Sequence, residues 1–204
     1  MITFALTSCG RPDLLERTLD SFFKHNRFPI KRYKIIDDST KPELFEDLIK
    51  KYPQIEWTFN TERLGQSASI DILYDDIDTP IIFHCEDDWK FLQGGFIEES
   101  LHFMLHDDRI IQCWMRGPHD TNGHPVTIGE EYDILNYGYQ GIWHGFSFNP
   151  GVKRLEDYKL INSYSGIGRE EDIGKIYKDL GFYAISLKDR YVEHIGWGRH
   201  VSES

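Results

Sequence analysis

The chain has 204 residues, 40% of them hydrophobic and 14% aromatic, enough for the core of a single domain. A formal net charge of -11 argues against a nucleic-acid groove, where Lys and Arg must neutralise phosphates, and no apolar run approaches the ~20 residues of a membrane span. The opening ITFALT lacks the basic start of a secretory leader, and Cys9, Cys85 and Cys113 show no C-x-x-C spacing; reduced thiols packed as small hydrophobes, and a cytoplasmic location, are expected.

In chain order, the β-branched run Ile2–Thr7 reads as a buried strand. A turn at Ser8-Cys9-Gly10-Arg11 follows, and Pro12 suits the first position of a helix whose apolar stripe is Leu15, Leu19, Phe22 and Phe23. Tyr33–Asp37 is the second strand. Thr40 is expected to cap a helix with Pro42 in its first turn and Leu44, Phe45, Leu48 and Ile49 facing inward. Ile55–Asn60 is the third strand, and Ser67–Ile77 a helix burying Ile70, Leu73, Tyr74 and Ile77. Pro80–Cys85, Phe96–Leu105 and Ile110–Met115 read as strand, helix and a fifth strand. This alternation implies an α/β fold: a largely parallel, doubly wound, Rossmann-like sheet with helices on both faces.

Beyond Arg116 the rhythm breaks. Residues 117–150 are rich in Gly, Pro, His, Asn and aromatics, expected as a long loop region or a few antiparallel strands. Helical patterns return at Arg154–Ile161 and Glu170–Leu180, followed by short strands at Tyr183–Leu187 and Tyr191–His194. With no repeat or linker, the chain reads as one domain over 1–204.

Ligands of open parallel sheets bind beyond the carboxyl ends of the strands. The residues punctuating those ends are Thr7, Ser8 and Arg11; Asp37 and Asp38; Asn60 and Arg63; and Glu86, Asp87 and Asp88. All four sets are expected along one edge. The last is the sharpest signal, because three carboxylates ending an apolar strand repel one another and cost desolvation unless a cation compensates. Hard oxygen ligands suit Mg2+ or Mn2+ shared with substrate phosphates, which also lets an acidic protein hold a diphosphate. The plain alternative is a solvated acidic turn.

FALTSCGRPDLLERTLDSF, KIIDDS, NTERLGQSASID and IIFHCEDDW together resemble the nucleotide-binding half of a GT-A glycosyltransferase, broadly family-2-like, over roughly the first 90 residues. The resemblance resumes near Gly166. It implies a nucleotide-sugar-binding half (1–90), an acceptor-side half (91–204) and a UDP-sugar as the favoured donor. Asp37 or Asp38 would meet the nucleoside, Glu86 and Asp87 the ribose and phosphates, and Asp88 of the DxD-type triplet the metal, here within Glu-Asp-Asp rather than Asp-x-Asp.

SGIGREED is similar to the stretch carrying the catalytic base of inverting members. It matches Glu171 to the base, with Asp172 the near alternative; acidic residues also simply favour a helix's first turn. In VEHIGWGRHV, His194 or His200 would complete the metal shell as related enzymes do, and imidazole favours Mn2+ over Mg2+. A lone histidine is otherwise structural, and the Gly-Trp-Gly spacer suggests a tail closing over the donor. The stretch from Tyr137 to Phe146, with Tyr139 and Trp143, suits an acceptor platform or the core, and Trp89 a stacking role on the donor side.

The expected reaction is metal-dependent transfer of a hexose-type sugar, with inversion, to a glycan hydroxyl, Arg11 or Arg63 holding the diphosphate. A nucleotidyltransferase is the nearest rival, although Ser8-Cys9-Gly10-Arg11-Pro12 is a poor phosphate loop. A metal-dependent hydrolase finds no H-x-H or H-E-x-x-H spacing. A non-catalytic nucleotide- or glycan-binding module is the alternative from another class.

Overall fold

The computed structural model describes residues 1–138, 142–143 and 145–199. Tyr139 and His200, expected near the acceptor and the metal respectively, lie outside the described residues.

The main sheet is built on β1 (Ile2–Ser8), buried along its whole length. It runs parallel to β2 (Ile30–Asp37) and to β4 (Ile81–Glu86), and β2 runs parallel to β3 (Ile55–Phe59). The fifth strand, β9 (Gly151–Arg154), pairs antiparallel with β4, giving the order β3-β2-β1-β4-β9. Successive residues of β1 feed opposite faces. Ile2, Phe4 and Leu6 enter one core with α1 (Pro12–His25), α2 (Glu46–Lys51) and α4 (Phe96–His106). Ala5 enters the other with α3 (Gln66–Tyr74), α5 (Leu155–Leu160) and α6 (Glu170–Asp179). A strand covered on both faces has to read as a continuous apolar run, which is why β1 and β4 stand out in the sequence.

A second sheet holds β6 (Ile110–Trp114), β10 (Tyr183–Leu187), β8 (Tyr132–Leu135) and β7 (Val126–Ile128), in that order. β6 and β10 are parallel, and the β10–β8 and β8–β7 pairs antiparallel. The irregular stretch after Arg116 thus contains an antiparallel pair. A two-stranded ribbon pairs β5 (Trp89–Phe91) with β11 (Val192–His194).

Three expectations are corrected. Ile110–Met115 continues the apolar rhythm but belongs to the second sheet. The fifth place in the main sheet goes to Gly-Val-Lys-Arg of β9, whose buried charges hide it in the sequence. The buried Arg154 guanidinium binds Asp157 (2.7 Å) and the carbonyls of Met104 (3.0 Å) and Ile110 (2.9 Å), tying α4 to β6. Thr40 is not a cap but a left-handed residue (φ 63°) ahead of a 3-10 turn over Pro42–Phe45. That tighter winding shifts the phase, leaving Leu44 exposed while Phe45 and Leu48 pack inward.

Candidate functional site

The chain runs outward from β1 to β3 and returns on β1's other side as β4, so the strand order reverses between β1 and β4. A cleft of about 1010 Å³ opens beyond the carboxyl ends there, as the geometry of open α/β sheets requires. Thr7, Ser8, Arg11, Asp38, Arg63, Glu86, Asp87 and Asp88 all line it.

The two aspartates after β2 separate. Asp37 is fully buried and accepts from the backbone N–H groups of Gly10 and Ser39, each at 2.9 Å. It shapes the β1–α1 turn, where Gly10 has φ 70° and a Cβ would lie 3.0 Å from that of Ser39, and it is not part of the cleft wall. Asp38 is on the wall, fixed by Asn60 Nδ2 (2.7 Å) and the N–H groups of Leu64 (2.8 Å) and Gly65 (2.9 Å). Of the alternatives Asp37 and Asp38, only Asp38 faces the cleft. Cys9 also lines it, 3.6 Å from Arg63 Nη2, rather than packing in the core as expected.

Glu86 ends β4, and Asp87 and Asp88 form the turn into β5. Glu86 accepts from Gln66 Nε2 (2.7 Å) and Trp89 Nε1 (3.1 Å). Burial first, then the charges of Asp88 and Glu170, push its pKa up to about 8. Asp87 is sealed in and accepts from Ser8 Oγ (2.9 Å) and the Arg11 guanidinium. Burial still raises its pKa to about 6 against the pull of Arg11. Burial is the leading cause of both shifts. Arg11 also reaches Asp88 Oδ2, at 3.0 Å.

The chain's end completes this corner. In the β5–β11 ribbon His194 lies opposite Trp89, and Ile195 N–H donates to Asp88 O (2.8 Å). Gly196 lies so close that a Cβ there would come within 2.3 Å of Asp88 Oδ2. His194 Nε2 stands 3.3 Å from that oxygen. Two donors at right angles, ~2.1 Å from an ion, lie ~3 Å apart, so Asp88 and His194 fit adjacent ligands of one divalent cation. Among the described residues no group of three or more His, Cys, Asp or Glu is arranged to hold a metal. Two protein donors, with the remainder from phosphate and water, suit Mg2+ or Mn2+.

Across the cleft, α6 contributes one carboxylate. Glu170 lines the wall and accepts from the N–H of Phe148. Glu171 and Asp172, the expected bases, do not line it. Glu171 pairs with the Arg169 guanidinium, and Asp172 accepts from the Arg169 backbone N–H (3.4 Å) at the start of the helix. The helical period explains the difference: Ile173, Gly174 and Tyr177 are α6's buried residues, and Glu170 falls on their face three and four residues back. That stripe was readable in the sequence. The loop before α6 is held by Ser67 at the start of α3, whose Oγ donates to Gly168 O (3.1 Å).

The aromatic expectations need correction. Trp143 is buried, donating its indole N–H to Leu135 O (3.3 Å), and is core rather than platform. Trp89 borders the cleft but is 2% exposed, with Arg116 over its ring (5.4 Å) and His194 beside it (5.0 Å); it supports the acidic corner and leaves no open face. The aromatic that does stand open on the cleft is Trp197, 68% exposed and edge-on to His194 at 4.7 Å.

No family model and no curated protein matches the chain in sequence. In three dimensions it is similar to the mannosyltransferase PcManGT from Pyrobaculum calidifontis in complex with GDP-Man and Mn2+, with a TM-score of 0.73 and 13% identity over 97% of this chain and 57% of that one. It is also similar to S. aureus TarS 1-349 in complex with UDP-GlcNAc (TM-score 0.67, 15% identity, 98% of this chain and 62% of that one). A third likeness is to GalNAc-T7 with UDP, GalNAc and Mn2+ (TM-score 0.64, 13% identity, 98% and 45%). The fold is therefore GT-A-like, and the chain spans roughly half to three-fifths of the length of these structures. Among the described residues no helix is long and apolar enough to cross a membrane.

Proposed function

We propose that the chain transfers a sugar from a nucleoside-diphosphate sugar, a UDP-sugar first, to an acceptor hydroxyl with inversion at the anomeric carbon. The observation that carries this reading is the cleft at the β1–β4 switch point, lined by Asp88 and His194 together with Glu170. The ligands in the similar structures, GDP-Man, UDP-GlcNAc and UDP with Mn2+, support it.

Asp38 and Arg63, on the wall beyond β2 and β3, are assigned to the nucleoside. Asp88 and His194 would hold a divalent cation, Mn2+ by its tolerance of imidazole; when bound, the cation supplies charge neutralisation for the departing diphosphate. Arg11 stays anchored on Asp87, with its Nη1 on Asp88 Oδ2 (3.0 Å), and adds positive charge at the corner where the phosphates would sit. Glu170 takes the proton of the acceptor hydroxyl as its oxygen attacks the anomeric carbon. Trp197 offers the apolar face of a hexose an aromatic surface.

Thermal-shift screening of UDP-glucose, UDP-N-acetylglucosamine and GDP-mannose, with and without Mn2+, selects the donor, since a ligand of the native state raises apparent stability. The expected product is UDP or GDP, released in a Mn2+-dependent reaction that a sugar acceptor accelerates. Release of pyrophosphate, or binding with no turnover against any glycan acceptor, overturns the proposal.

A further inference from the structure

Lys153 is a charged residue in a place that stability alone does not explain. It lies on β9, opposite Ile82 of β4, and is 3% exposed. Its Nζ donates to Gln112 Oε1 (2.6 Å) and Ser147 O (2.7 Å) and sits 4.2 Å from the centre of the Phe146 ring. Both hydrogen-bond acceptors are neutral, and the carboxylates of Glu170, Glu86 and Asp157 offset only part of the desolvation of the ammonium. An apolar side chain of the same length would fill the volume without that cost, but would take away the donor that holds Ser147 O.

The two bonds lead to the cleft. Gln112, fully buried on β6, accepts from Ser147 N–H (3.0 Å) and donates to Ser147 Oγ (3.3 Å). Gly151 leaves room for this amide, since a Cβ there would lie 3.2 Å from Gln112 Nε2. The next residue, Phe148, donates its N–H to Glu170. A continuous path thus runs from Lys153 through Gln112 and the backbone at Ser147–Phe148 to the carboxylate on the cleft wall.

We propose that Lys153 is a positioning residue: by clamping Ser147 together with Gln112, it fixes the Phe148 N–H that orients Glu170. This rests on Glu170 being the base for sugar transfer. Burial brings the Lys153 pKa down to about 7, with the carboxylates of Glu170, Glu86 and Asp157 pulling the other way. Neither protonation state breaks the clamp, because a neutral amine still has two N–H donors for its two acceptors. The third proton of the ammonium is free to face the Phe146 ring.

The test is a double-mutant cycle with UDP or GDP release from the selected donor as readout, alongside amide hydrogen exchange on the donor-free protein. Lys153→Met is expected to lower kcat by ~10–100-fold, the scale of a small misplacement of a reacting group, with the donor's affinity unchanged. Combined with Glu170→Gln, it should add nothing to the loss that Glu170→Gln causes alone. In exchange, the Ser147 and Phe148 amides should lose protection in Lys153→Met while those of β1 and α1 keep theirs. Gln112→Leu is the second variant should Lys153→Met not fold, with the same expectations. Losses that multiply in the double variant, or protection lost evenly across the chain, overturn the positioning role while leaving Glu170 as base. Full activity in Glu170→Gln removes the base assignment and this inference with it.

Discussion

Two acidic triplets of nearly the same composition meet different fates. Glu86, Asp87 and Asp88 close a buried strand, and the turn into β5 drives all three into the cleft, against Gln66, Ser8, Arg11 and His194. Glu170, Glu171 and Asp172 open a helix, where each residue rotates by about 100°, and only Glu170 reaches the cleft. At the strand end burial, with the charge of Asp88 added, lifts two carboxylate pKa values to about 8 and about 6. At the helix start the outward-facing pair is satisfied by Arg169. A run of carboxylates therefore becomes a site only after the backbone period decides which members share a direction.

The comparison breaks most sharply at α6. Glu170→Gln is expected to slow nucleoside-diphosphate release by ~10²–10⁴, the range for loss of a general base, while Glu171→Gln and Asp172→Asn stay within roughly twofold. Initial rates of the three variants decide it, and a large loss in Glu171→Gln alone would return the role to that residue. At the strand-end triplet, His194→Ala should weaken Mn2+ by ~10–100-fold, read as the Mn2+ midpoint of the donor's thermal shift. An unmoved midpoint takes the imidazole out of the ion's shell.

The smallest effect lies beneath that triplet, in the dry interior of β4. His84 is fully buried, its Nδ1 2.9 Å from Tyr74 Oη and its Nε2 without a hydrogen-bond partner among the described residues. Burial, helped by the nearby Lys153, lowers its pKa from 6.5 to about 3. As pH falls below 6.5 the unfolded chain takes up a proton that the folded chain refuses, so stability is lost between pH 6.5 and 3. His84→Gln should flatten that slope. Urea unfolding at pH 7 and pH 4.5 is expected to show the wild type losing roughly 2 kcal/mol more than the variant. Equal losses would mean that the buried imidazole is protonated in the native state.

Much of the main sheet was legible because its inner strands are buried on both faces and leave uninterrupted apolar runs. The strand-end residues followed from topology: once β1, β2 and β4 are parallel neighbours, Ser8, Asp38 and Asp88 must come out on the same edge. β9 was not legible, since Lys153 and Arg154 are interior charges whose partners include Gln112, Met104 and Ile110, 41 to 50 positions away in the chain. Trp143 resembled an open sugar platform because glycines and polar residues surround it in sequence, and Trp89 a donor-side stacking ring beside the acidic triplet. In the fold their indole N–H groups find Glu86 and Leu135 inside.

The sequence by itself determined the α/β class, β1 to β4 as the parallel strands of the main sheet and the edge on which their polar residues gather, because these follow from local period and the rules of parallel crossover. Only the tertiary structure decided that His194 returns to Asp88, that Asp37 braces a turn while Asp38 faces the cleft, and that Glu170 rather than its neighbours lines the same cleft as Asp88 and His194. Those outcomes depend on contacts between residues as much as 106 positions apart, as His194 and Asp88 are, and on the rotational phase of a helix against a sheet it does not adjoin in the chain.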